Sequence, residues 1–177
     1  MQAQGAAADS AAKEPFQPRL VRDVLGCFPT GVAVVTAAAP DGSLHGVTIS
    51  SFNSLSLDPP LVLFSLSRAL HSLDAMQNAA AFAINFLRDD QAHLSSRFAA
   101  ALTDKWSGTE YRAGFTGAPV LVPALAVLEC LPYAQYDGGD HVIFVLRVTH
   151  FEADAERHPL VFFRGGYHTL AIPERNR

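Results

Sequence analysis

Residues 46–67, GVTISSFNSLSLDPPLVLFSLS, constrain this chain more than any other stretch. In a strand, successive side chains point to opposite faces, so Thr48, Ser50, Ser54 and Ser56 share one face, interrupted by Phe52. Val47, Ile49, Leu55 and Leu57 share the other, but Ser51 and Asn53 fall between them and the alternation fails in the middle. A bulge or turn near residues 51–53 accounts for the failure. Such an irregularity frees backbone N–H and C=O groups among small side chains, where a planar, hydrogen-bonding ligand can lie against the backbone. On spacing alone, a barrel strand whose outward face is merely polar is the simpler reading.

At 177 residues the chain is expected to form one domain around a single core. Hydrophobic residues make up 49% and charged residues 17%, a globular balance, with 10% aromatics that also suit burial against a second subunit. A net charge of -4 and a pI near 5.9, without a Lys/Arg cluster, exclude a broad nucleic-acid footprint. The apolar runs are cut by Pro, Ser, Asn or charge well short of a bilayer span, and the Ala-rich start lacks a secretory pattern. A cytoplasmic protein with neither membrane nor nucleic-acid partners is expected. Cys27 and Cys130 sit in no CxxC and read as buried reduced thiols. No histidine pair has ligand spacing, so no metal is expected.

Along the chain, residues 1–17 read as a flexible tail, 18–172 as the domain and 173–177 as a second tail. Leu20, Val21, Val24, Leu25 and Phe28 recur at helical spacing up to Pro29, which predicts an amphipathic helix capping the core. Strands follow over 31–38 and, after the PDGS turn at 40–43, through the central stretch, with Pro59 and Pro60 as a break. A helix over 67–78, opened by Ser67 or Ser72, suits an anion at its N-terminus. A strand over 82–87, a helix over 91–101 and a long polar loop over 103–118 come next. Strand-rich runs at 120–133, 141–151 and 159–164 are separated by the DGGD turn at 137–140 and ended by Gly165 and Gly166. Six or seven strands with two or three helices and no βαβ rhythm predict a mainly β fold with peripheral helices, an antiparallel barrel. No GxGxxG follows a strand, so a Rossmann sheet is not expected.

Seven blocks then coincide in order: FPTGVAVVT at 28–36, TISSFNSLSLDPPLV at 48–62, FAINFL at 82–87, DKW at 104–106, TGAPVL at 116–121, GDH at 139–141 and PLVFFRGGY at 159–167. Together they resemble the short-chain flavin reductases, the reductase components of two-component flavin-dependent monooxygenases. The resemblance implies an FMN-binding split barrel of Greek-key type and a homodimer with flavin near the subunit interface. It also implies an NAD(P)H:flavin oxidoreductase, EC 1.5.1 type, that passes diffusible reduced FAD or FMN to a separate monooxygenase such as an aromatic hydroxylase. A split-barrel flavoprotein with tightly held flavin, serving as an electron carrier or as reductase of another acceptor, is the alternative.

By the same resemblance Thr48, Ile49, Ser50, Ser51, Phe52, Asn53, Ser54 and Leu55 face the flavin ring and ribityl chain. Ser65, Arg68, Ala69 and Ser72 fall at its phosphate, with Arg97 and Phe98 as a second cluster, since a guanidinium bonds two phosphate oxygens at once. Arg68 and Arg97 read equally well as solvated charges. Asn85 and Phe86 fall beside the cofactor, Asn85 otherwise satisfying a strand edge. His141 positions the nicotinamide, with Thr30, Gly31, Arg164, Tyr167 and His168 on the dinucleotide side. Trp106 stands where the family carries Tyr or Phe. FAD against FMN stays open, and sparse basic residues near the GDH turn favour NADH over NADPH.

Overall fold

The computed structural model describes residues 17–101, 104–154 and 156–171; the two expected tails lie almost wholly outside them. Strand β2 (Ala33–Ala38) is buried on both faces because structure covers it on either side. Its odd-numbered residues join an interior with Ile49, Phe64, Phe82, Ile84, Phe144 and Leu146. Val32 and Val34 instead meet Leu87, Leu94, Phe98, Leu121 and Leu160 beneath a helix. Phe64 stacks on Phe144 at 5.1 Å and 7°, with Phe82 edge-on to both. Each such aromatic pair adds about 0.5–1.5 kcal/mol beyond area burial.

After β2, the turn at residues 40–43, with Gly42 at φ 82, leads into β3 (Leu44–Ile49). Then come β4 (Asn53–Leu57), β5 (Pro60–Ser67), β6 (Phe82–Phe86), β9 (Ala126–Gly138) and β10 (His141–Ala153). With β2 and β3 these form a seven-stranded antiparallel sheet in the order β3-β2-β6-β9-β10-β5-β4. β3 and β4 are therefore opposite edges, and residues 50–52 carry the chain from one to the other. The curled sheet stays split there, as the failed alternation at Ser51 and Asn53 foretold. A short β1 (Thr30–Gly31) pairs with β11 (Val161–Phe163), which turns at Arg164 and Gly165 into β12 (Gly166–His168). β7 (Tyr111–Ala113) and β8 (Pro119–Leu121) make a hairpin, so the loop expected over 103–118 is partly ordered as strand. Among the described residues every strand pair is antiparallel.

The helices depart most from expectation. α1 (Pro18–Leu25) forms, but none of its residues is buried. Leu20, Val24, Leu25 and Phe28 are exposed, so its apolar face does not cap this chain's core. α2 is Leu73–Gln77 rather than 67–78. Ser67 still pairs with His141, and the Arg68 N–H donates to the Asp140 carbonyl at 2.9 Å, which holds the chain out of helix. Ser72 makes no side-chain cap, so this five-residue helix offers no anion site of its own. α3 (Ala92–Ala99) lies over β3 and β2. Cys130 is buried and Cys27 is exposed, which corrects the pairing of both as buried thiols. No described helix is long and apolar enough to cross a membrane. No metal-holding group of His, Cys, Asp or Glu occurs among the described residues.

Candidate functional site

A groove runs along edge strand β3. At its inner end a hollow of about 270 Å³ is lined by Thr48, Ile49, Ser50, Ser51, Ser65 and His141, together with Val47 and Leu70. Val47 and Leu70 also line the next compartment, a cleft of about 580 Å³ that continues past Ala69 and Ser72 to His45 and Trp106. On its other side Ser50 borders a third hollow of about 240 Å³ with Thr30, Arg22 and Arg164. Val47 and Leu70 thus join the hydroxyl-lined hollow to the cleft, and Ser50 joins it to the third compartment.

The hydroxyl wall is partly committed to the fold. Thr48 Oγ1 donates to the Ser95 carbonyl at 2.7 Å, tying β3 to α3. Ser51 Oγ donates to the Ser65 carbonyl and accepts from the Ser65 N–H, filling the place of a strand partner where the sheet splits. Ser50 is exposed. Phe52 sits edge-on to Phe86 at 4.8 Å behind the groove, beside Thr30 and Gly31. Asn53, Ser54 and Leu55 lie on β4, exposed on the opposite edge and outside the groove in a single chain.

Several expected contacts point elsewhere. Asn85 is fully buried, donates to the Val34 carbonyl at 3.0 Å and Thr36 Oγ1 at 3.1 Å, and accepts from the Leu121 N–H at 2.9 Å. Its amide is consumed in tying β6 to β2 and β8, which corrects its assignment to the cofactor. Arg68 faces the Asp137 carboxylate and the Gly139 carbonyl. Arg97 donates to the Ser107 carbonyl at 3.1 Å and Thr109 Oγ1 at 2.9 Å. Both arginines anchor loops rather than face the cleft. Phe98 is buried beneath Trp106, 5.3 Å edge-on. It fits there because Gly46 carries no Cβ, which would run into its ring. Tyr167 donates to Ser95 Oγ at 2.8 Å, and His168 lies edge-on to Phe163 at 5.9 Å, so neither lines the three compartments.

Of the charged groups that line the groove, Lys105 and Arg22 were not singled out by the sequence, whereas Arg164 was placed on the dinucleotide side. Lys105 Nζ donates to the Phe98 carbonyl at 2.9 Å and the Gly46 carbonyl at 3.3 Å. Among the described residues no carboxylate lies within ion-pair distance of it. Desolvation holds its pKa below the usual lysine range. A part-buried cation facing only carbonyls is suited to a phosphate. Arg22 and Arg164 likewise form no ion pair among the described residues, whereas Arg68, Arg88, Arg112 and Arg157 each do. Arg164 sits at φ 48 in the β11–β12 turn, its guanidinium 5.1 Å over the Phe163 ring. The lysine was visible only as part of the DKW block, and Arg22, inside the predicted first helix, was not singled out.

His141 opens β10 at the inner end. Its Nδ1 lies 2.7 Å from Asp140 Oδ1. The carboxylate can only accept, so Nδ1 carries the proton and Nε2 is left as an acceptor in neutral imidazole. The hydrogen bond from His141, then its charge and that of Arg22, hold the Asp140 carboxyl below the usual range.

Comparison with known proteins places this architecture. A model of the family described as "Flavin reductase like domain" matches residues 25–171. A flavin reductase of Pseudomonas putida is 38% identical, covering 88% of this chain and 91% of that one. The reductase subunit HsaB of a flavin-dependent monooxygenase from Rhodococcus jostii (strain RHA1) is 37% identical, covering 88% and 80%. Among solved structures, the NADH:FAD oxidoreductase SgcE6 of Streptomyces globisporus C-1027, in complex with NAD and FAD fragments, superposes with a TM-score of 0.83. It shares 32% identity, covering 90% of this chain and 96% of that one.

Proposed function

The chain belongs to the flavin reductase like domain family, and from that premise we propose an NAD(P)H:flavin oxidoreductase, EC 1.5.1 type, that reduces FAD or FMN and supplies it to a separate monooxygenase. The observation that carries the reading is the position of Ser50, at the border between the hydroxyl-lined hollow holding His141 and the hollow bracketed by Arg22 and Arg164. Two ligands seated on either side of one small residue meet at their edges. When bound, the flavin supplies the hydride-accepting chemistry; the protein supplies position.

The donor set fits that cofactor. Thr48, Ser50, Ser51 and Ser65, with their backbone groups, form a wall against which a polar heterocycle is held. The turn at residues 69–72 and Lys105 receive the phosphate end. His141, its ring fixed by Asp140, orients a carboxamide through Nε2, and Arg22 and Arg164 receive the dinucleotide phosphates. None of these groups needs to move a proton during the transfer, so the absence of an acid/base pair from the assignment costs the reading nothing.

The apolar face of α1 and the exposed β4 edge, where Leu57 is 93% exposed, support a homodimer in which Asn53, Ser54 and Leu55 meet the partner's groove. Domain limits of 18–172 and a cytoplasmic setting, where NAD(P)H is supplied, complete the proposal. Supply is tested by separating the reductase from a flavin-dependent monooxygenase with a membrane permeable only to flavin. Continued product formation supports diffusible transfer. Product that requires mixing the proteins, with stoichiometric flavin surviving gel filtration, points instead to a fixed carrier.

A further inference from the structure

The 580 Å³ cleft is larger than a flavin mononucleotide needs at that end. A phosphate displaces the space of a few waters, on the order of 100 Å³ at ~30 Å³ each. The cleft lies in the range that encloses most of a drug-sized molecule. Past Lys105 its wall is the half-buried Trp106. That indole is fixed in place: Nε1 donates to the Leu44 carbonyl at 2.9 Å, and its ring meets Phe98 at 5.3 Å and Tyr111 at 5.1 Å, both edge-on. The loop around it is held as well, Asp104 Oδ1 accepting from the Trp106 and Ser107 N–H groups at 3.0 and 2.9 Å.

His45, which also lines the cleft, is fixed too, its Nε2 3.0 Å from Ser43 Oγ, which donates in turn to Asp41 Oδ1 at 2.6 Å. An aromatic wall, a cation for phosphate and a fixed imidazole make a complete subsite for an adenosine phosphate. Building on the flavin reductase reading, we propose that this compartment is an adenine subsite walled by Trp106 and that the chain prefers FAD to FMN. Base stacking on an aromatic side chain is worth about 1–3 kcal/mol by alanine substitution. Its removal costs roughly tenfold or more in affinity.

The test is quenching of flavin fluorescence by the full chain with FAD, FMN and riboflavin. Wild type binds FAD about tenfold tighter than FMN. Trp106→Ala loses most of that advantage while its FMN and riboflavin affinities stay as they were, and Trp106→Phe retains it. Equal or tighter binding of FMN by wild type, or an equal loss for all three flavins in Trp106→Ala, overturns the proposal. Should the alanine variant not fold, AMP titrated into wild type decides. It weakens apparent FAD binding and leaves riboflavin binding unchanged, and failure to compete with FAD overturns the subsite. NADH oxidation followed in parallel separates the two levels: no turnover with either flavin removes the reductase reading itself, whereas turnover with indifferent affinities removes only the adenine subsite.

Discussion

Ser51 Oγ lies 3.1 Å from the Ser65 carbonyl and 3.0 Å from the Ser65 nitrogen, so one side chain satisfies both backbone groups of a residue on β5. It does the work of a missing strand at the point where the sheet divides. Ser51→Ala strips both partners from Ser65 in a part-buried place. Leaving such groups unsatisfied costs about 1–3 kcal/mol each when buried, less where water reaches them. We expect a stability loss of about 1–2 kcal/mol in urea denaturation and weaker flavin binding, while Ser50→Ala at the exposed neighbour changes binding only.

Lys105 links affinity to pH. Desolvation lowers its pKa, so its charge is lost at a pH below that of an ordinary lysine. The phosphate of FMN gains from the charged form and riboflavin does not. The ratio of FMN to riboflavin affinity therefore falls as pH rises through the alkaline range, beginning below the usual lysine value. In Lys105→Met the ratio is smaller and flat. Folding runs the opposite way with pH. The unfolded chain holds the lysine proton more tightly, so this residue's contribution to stability rises with pH across the window between the two pKa values.

Arg22 and Arg164 predict salt dependence. With two guanidinium groups beside the dinucleotide hollow, kcat/KM for NADH declines with ionic strength. Arg22→Gln and Arg164→Gln each raise KM for NADH several-fold and flatten that dependence. Flavin affinity stays at the wild-type value, and a dihydronicotinamide carrying no phosphate reacts equally well with all three proteins.

The two thiols differ in reactivity. Burial, and secondarily the Glu129 charge, push the Cys130 thiol up to about 12, whereas Cys27 is exposed at the end of α1. A disulfide exchange reagent titrates one thiol per native chain and two after denaturation. Cys27→Ser abolishes the native reaction.

The strands were legible because their signals are local: alternation, the PDGS and DGGD turns and the double proline all act within a few residues. The split at residues 50–52 was legible as the place where alternation fails. What escaped the sequence depends on partners far along the chain. Arg68 finds Asp137 and Asn85 finds Leu121, so residues that suited phosphate and flavin are spent on the fold. The helix over 67–78 shortened because strand pairing to His141 outlasts the helical pattern. The apolar spacing of α1 said that a face is to be covered, not by what. Lys105 resembles any loop lysine until the fold lays it across the Gly46 and Phe98 carbonyls.

The most direct measurement is steady-state oxidation of NADH and of NADPH by the purified chain with FAD, FMN or no flavin added. The account predicts rapid turnover that depends on added flavin, is faster with NADH, and falls in His141→Ala chiefly through kcat/KM for the dinucleotide. Oxidation that proceeds at the same rate without added flavin, or none at all with flavin bound, contradicts a reductase that releases its product.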